Sequence, residues 1–169
     1  MIDLFLLVIL LICVITDVRS GKIYNKVIYP GLLAAFLFHF TVDGWEGISY
    51  SFIGFLIGFV LLLIPYMMKG MGAGDVKLLA LVGALKGGTF VFESFIYMAL
   101  IGGVISLFII LIRSGAPKSI VHFLSGLKNG TVYYPFHTSD ALKVKFPYGI
   151  AIAGGTILAM LAERMPGIW

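Results

Sequence analysis

Runs of apolar residues too long and too numerous for the interior of a small soluble fold recur through most of this chain, and they leave few architectures open. The runs are Ile2 to Thr16, Val27 to Val42, Ile48 to Met68, Val76 to Leu85, Val91 to Ile112 and Tyr148 to Ala162. A helix needs about 20 mostly apolar residues to cross a hydrocarbon layer of about 30 Å, and fewer where polar loops dip into it. With 60% hydrophobic and 12% charged residues in a chain of 169, one water-soluble core cannot hold these side chains, since globular domains run about half apolar and about a quarter charged. The predicted fold is all-α: one membrane-embedded domain over residues 1–169, polytopic, with about six transmembrane helices and the lipid bilayer as its solvent. The fourth run is too short to cross by itself and follows a glycine-rich loop, a way of holding irregular backbone and polar groups at depth inside protein. The first run has no basic leader and no small-residue cleavage site, so it reads as a retained helix and not as a removed signal.

Charge gives the expected orientation. Arg19, Lys22, Lys26, Lys69, Lys77, Arg113, Lys118, Lys128, Lys143 and Lys145 fall in alternate loops, whereas Lys86 and Arg164 fall in the others. Positive loops stay cytoplasmic. Both termini are therefore expected outside, together with Asp3, Asp43, Glu46, Glu93 and Glu163, in a cell inner or plasma membrane. The net charge of +4 follows from this distribution, and no basic cluster with interleaved aromatics suggests a nucleic-acid partner. The single cysteine, Cys13, excludes an intrachain disulfide and reads as a small core residue. In the long loop 114–146, Ile120, Val121, Phe123, Leu124 and Leu127 form an apolar stripe at helical spacing, expected to lie on the cytoplasmic leaflet. Trp45, Tyr50 and Trp169 fall near the predicted outer boundaries, where amphipathic rings settle.

Three acids fall on the cytoplasmic side. Asp140 sits in the polar stretch His137-Thr138-Ser139-Asp140 and reads as a solvated loop charge. Asp17 ends the first apolar run, and Asp75 opens the fourth after Gly70-Met71-Gly72-Ala73-Gly74, so distant parts of the chain place two carboxylates at one membrane depth. An ionisable group there costs a few kcal/mol and calls for a role. Each has a plain alternative: Asp75 as a helix N-cap, Asp17 as a partner of Arg19, Lys22 or Lys26. Taken together, they read as one shared site. Gly70, Gly72 and Gly74 give backbone freedom and room for an extended peptide beside Asp75; a helix-breaking linker is the plainer view of them. The spacing is no dinucleotide fingerprint, because no predicted strand precedes it.

Two aspartates close together share a proton and titrate as a pair. One then acts as base toward a water that attacks an amide carbon, and the other as acid toward the carbonyl oxygen. Which takes which role is open. His39, His122 and His137 are too scattered for a zinc site, so neither metal nor cofactor is expected. Lys77 is either a substrate or dyad cation or a snorkelling topology charge. A proton-coupled transporter or channel is the alternative function; it calls for two related halves, each with an interrupted helix, and one interruption is seen. A purely structural subunit is the third, in which the two aspartates are separately replaceable.

Asp17-Val18-Arg19 with Ile23-Tyr24-Asn25, then Gly70-Met71-Gly72-Ala73-Gly74-Asp75-Val76-Lys77-Leu78, then Phe146-Pro147-Tyr148-Gly149 together resemble the type IV prepilin peptidases, the Gly-x-Gly-Asp membrane aspartyl proteases. The resemblance implies cleavage of the leader from pilin-like or flagellin-type precursors on the cytoplasmic side. It also implies Asp17 and Asp75 as the catalytic pair. Family members often carry proline where this chain has Tyr24, and the larger ones add a cysteine-bearing extension that methylates the product. The short form here is similar to tight-adherence pilus peptidases or archaeal preflagellin peptidases, with methylation not expected. Pro147 and Gly149 are expected to shape the site by packing at the start of the last helix.

Overall fold

A computed structural model describes residues 2–113 and 148–165. The described residues are all helical apart from short connections: α1 Ile2–Ser20, α2 Asn25–Met67, α3 Ala73–Lys86, α4 Gly88–Arg113 and α5 Tyr148–Arg164. The predicted interfacial helix, Asp140, His122, His137, Pro147 and Trp169 lie outside the described residues. Chain contacts divide the protein into one unit of residues 1–101 with 147–169 and another of residues 102–146; the described part of the second is the end of α4, whose Val104 and Phe108 are exposed.

Two predicted runs appear as the single element α2, 43 residues long. It is not straight. Gly44 adopts φ 59° and ψ −130° inside it, and the rings of Phe36 and Phe55 lie 6.4 Å apart. A straight helix would separate those residues by about 28 Å at 1.5 Å per residue, so the chain reverses at Gly44 and α2 is a hairpin of two antiparallel arms. A glycine is needed there because a side chain resists that left-handed φ. Among the described residues nothing lies within 4 Å of where a Cβ would stand, so conformation and not space is the constraint.

By length and apolarity, α2 and the Gly88–Ser106 part of α4 are fit to cross a membrane, against about six predicted crossings. The shortfall has a physical basis. Helix α1 holds Asp3, Asp17 and Arg19 within its 19 residues, α3 has 14 residues and α5 has 17. The surface is nonetheless apolar: Leu4, Leu11 and Val18 of α1, Leu33 and Leu37 of α2, and Phe92, Ile96 and Leu100 of α4 are all exposed. The interior is meanwhile rich in Gly, Ala, Ser and Thr. Large aliphatic groups exposed on α1, α2 and α4, with small residues at the buried contacts of α2 and α5, is the packing of helices in lipid.

Helix α3 is the centre of the first unit. Asp75, Val76 and every residue from Leu78 to Leu85 are buried, so it is apolar all round, as a fully enclosed helix must be. It packs most extensively on α2, where Gly54 faces Gly83 and Gly58 faces the Leu79 carbonyl. The last carbonyls of a helix have no partner within it. Here α2 supplies them: Ser51 Oγ donates to Ala84 O at 2.7 Å, His39 Nε2 lies 3.2 Å from Leu85 O, and Tyr50 OH donates to Lys86 O at 2.6 Å. His39 therefore has a structural post. Ser51→Ala would orphan a buried acceptor and is expected to lower stability by about 1 to 3 kcal/mol, read as an earlier thermal unfolding in detergent.

Candidate active site

Asp17 belongs to the last turn of α1, which runs four residues beyond the apolar run, to Ser20. The Gly21 amide donates to Asp17 O at 2.7 Å with Gly21 at φ 59°, a left-handed glycine that ends the helix. Asp17 is thereby inside a helix and 9% exposed. Its carboxylate turns to α5: the Gly149 amide donates to Oδ2 at 2.9 Å. A Cβ on Gly149 would stand 2.8 Å from that oxygen, so the carboxylate reaches the amide because the side chain is missing.

Asp75 is the third residue of α3 and 7% exposed. Its Oδ2 accepts the Gly72 amide at 3.1 Å, reaching back over the first turn. That is one half of a capping box, and glycine has no side chain to supply the other. Gly72 and not Asp75 is thus the N-cap, and one Asp75 oxygen serves the cap from the third position of the helix. The other, Oδ1, is buried and has no hydrogen-bond partner among the described residues, although a buried carboxylate oxygen without a donor is expensive.

The two acids share one end of the first unit. Among the described residues, the charge acting on Asp75 is that of Asp17, so α1 and α3 bring the pair within electrostatic range. Tyr148, at the start of α5, in turn feels the charge of Asp75. Tyr148 belongs to the Phe146-Pro147-Tyr148-Gly149 stretch, of which Pro147 and Gly149 alone were expected to shape the site. Cys13 is buried one turn before Asp17 and feels its charge.

The glycines divide. Gly74 packs on the connection between α1 and α2, where a Cβ would stand 2.9 Å from Ile23 Cβ; this contact holds the Asp75 turn against the chain leaving Asp17. Gly72 supplies the amide to Asp75. Gly70 closes the end of α2 by donating to Pro65 O at 3.0 Å, and a Cβ there would meet only an ordinary contact. Met67, Met68, Lys69, Gly70 and Gly72, which precede Asp75, are exposed. Lys77 is engaged elsewhere: its Nζ donates to Asn25 Oδ1 at 3.0 Å and Tyr29 OH at 3.3 Å and sits 5.3 Å from the Tyr29 ring centroid. It ties α3 to the first turns of α2. Among the described residues, no group of three or more His, Cys, Asp or Glu side chains is placed to hold a metal ion.

Fold and site together describe an all-helical protein with an apolar exterior and two buried carboxylates at one end of its first unit. The particular family is given by a model of the type IV leader peptidase family, which matches residues 4–110, and the chain belongs to that family. It is accordingly a protease family member and a membrane protein. No curated protein and no solved structure matches the chain.

Proposed function

We propose that the protein is an aspartic endopeptidase that removes the leader from pilin-like or flagellin-type precursors at the cytoplasmic face of the membrane, with Asp17 and Asp75 as its catalytic pair. The observation that carries this reading is the state of Asp75: one oxygen held by the Gly72 amide, the other buried without a donor among the described residues, and the carboxylate within range of a second aspartate. A carboxylate kept only for capping would leave no such oxygen inside.

In this reading the pair holds one proton. The ionised member takes a proton from water as the water oxygen bonds to the scissile carbonyl carbon, and the protonated member gives its proton to the carbonyl oxygen. The tetrahedral intermediate collapses with cleavage of the C–N bond, and the amine leaves with a proton returned by the pair. The backbone amides of Gly149 and Gly72 hold one oxygen of each acid, so the geometry does not depend on mobile side chains. The exposed segment from Met67 to Gly72 lets an extended peptide lie beside Asp75.

The same reading places α1, both arms of α2, α3, the apolar part of α4 and α5 across or within the bilayer as six segments. The end bearing Arg19, Lys22, Lys26 and Lys69 then faces the cytoplasm and both termini lie outside. The test is direct: the full chain in detergent cleaves a pilin-like precursor at one site, with a bell-shaped dependence of rate on pH that requires one acid and one base. A chain that leaves the precursor intact, or cuts it at a rate indifferent to pH, overturns the proposal.

A further inference from the structure

At the end of the first unit opposite the two aspartates lies a second cluster of charge. Lys86 Nζ, its side chain 14% exposed, donates to Asp3 Oδ1 at 3.0 Å and to Glu163 Oε2 at 2.8 Å. The ammonium also lies 4.8 Å from the Phe90 ring centroid, and Arg164 reaches the second Asp3 oxygen at 3.7 Å. Surface ion pairs contribute little when both partners move freely in water, but here a nearly enclosed ammonium sits between two carboxylates and an aromatic face.

The helices it joins matter more than its strength. Asp3 is in the first turn of α1, Lys86 ends α3 and Glu163 is in the last turn of α5. Their opposite ends are the three parts of the candidate site: Asp17 on α1, Asp75 on α3 and Gly149, which holds Asp17, on α5. Asp75 and Lys86 are about 16 Å apart along α3 at 1.5 Å per residue. A helix is stiff along its axis, so a slip of one helix at the Lys86 end arrives undiminished at the other.

We infer that Lys86 is a positioning residue for the aspartate pair: by gripping Asp3 and Glu163 it sets the axial register of α1, α3 and α5, and with it the separation of Asp17 from Asp75. The inference rests on the proposed role of that pair. It gives a purpose to the one cation that α3 carries at its non-catalytic end, for which the charge distribution of the loops offers none.

The effect has a signature that simple loss of folded protein lacks. Two acids that share a proton have apparent titrations pushed apart by their interaction. Separating them weakens that interaction, so the two limbs of the pH-rate bell move toward each other. Loss of active molecules lowers the bell without changing its width. Among the described residues, Cys13 and Tyr148 are the further titratable groups coupled to one or other acid, and neither is substituted in the variants below.

The experiment measures precursor cleavage against pH for the full chain with Lys86→Met, Lys86→Arg and Glu163→Gln, beside the parent. Lys86→Met is expected to lower kcat by about 10-fold to 100-fold with KM unchanged and to narrow the bell. Lys86→Arg, which keeps a cation able to span both acids, should restore the width. A Lys86→Met bell of parental width overturns the inference, as does an effect confined to KM. Should Lys86→Met fail to fold, Glu163→Gln decides on the same criterion, since it removes one arm of the grip from an exposed position. Asp17→Asn and Asp75→Asn run alongside: parental rates in those two end the dyad reading itself, whereas inactive Asn variants with an unchanged Lys86→Met bell end only the positioning role.

Discussion

Asp75→Asn and Asp17→Asn are each expected to reduce precursor cleavage by about 100-fold to 10,000-fold, the range that positioned proton transfer contributes, while the protein still folds and inserts. The prediction follows from what asparagine keeps. At Asp75 an amide oxygen still accepts from the Gly72 amide, and at Asp17 one still accepts from Gly149, so the turn and the α1 to α5 contact survive. What is lost is the ability to take or give a proton. Burial of a charge without a full set of donors is costly, so neutralising Asp75 is expected to leave stability equal to or higher than that of the parent. The combination of lost cleavage and undiminished thermal stability in detergent distinguishes a chemical role from a capping role. Asp75→Ala makes the comparison sharper: it removes the cap as well, and should lower stability by about 1 kcal/mol beyond the Asn variant. If either Asn variant cleaves at the parental rate, the dyad assignment fails.

The positions of the two acids were legible because polarity changes abruptly there: an apolar run stops at Asp17, and another starts at Asp75 after a run of glycines. The reversal at Gly44 was legible for the same reason, since Asp43, Gly44 and Glu46 interrupt two apolar stretches. Side-chain pairing was not. Lys77 stands two residues from Asp75 in sequence, yet in a helix neighbours two apart point to different sides, and Lys77 meets Asn25 and Tyr29. His39 and Tyr50 read as a scattered histidine and an interfacial ring, and nothing in the sequence marked Ser51. Only the hairpin of α2 brings them to successive carbonyls of α3, and no periodicity in one segment encodes the free carbonyls of another. By length and composition only α2 and part of α4 are fit to cross among the described residues, because charge at the ends of α1 and the shortness of α3 and α5 enter only once their bounds are known.

Gly83→Leu, and to a lesser degree Gly83→Ala, is expected to prevent assembly of the first unit, the second largest effect predicted. On α3 a Cβ at Gly83 would land on the Gly54 carbonyl, and on α2 a Cβ at Gly54 would land on the Gly83 carbonyl. Both obstacles are backbone, which cannot rotate aside as a side chain does. Replacing a helical glycine by alanine gains about 1 kcal/mol of helix propensity, whereas overpacking of a rigid contact costs about 1 to 3 kcal/mol and more where the backbone itself must shift. The second effect wins. The displacement also carries α3 away from Ser51 and Tyr50, which hold its last carbonyls, so the losses compound. Gly103 is the control: a Cβ there has nothing within 4 Å among the described residues, and Gly103→Ala should be neutral or stabilising by up to about 1 kcal/mol. Yields of monodisperse protein after detergent extraction, followed by thermal unfolding, read both outcomes. Equal behaviour of Gly83→Ala and Gly103→Ala would mean that α2 and α3 do not approach as closely as the backbone contact between Gly54 and Gly83 requires.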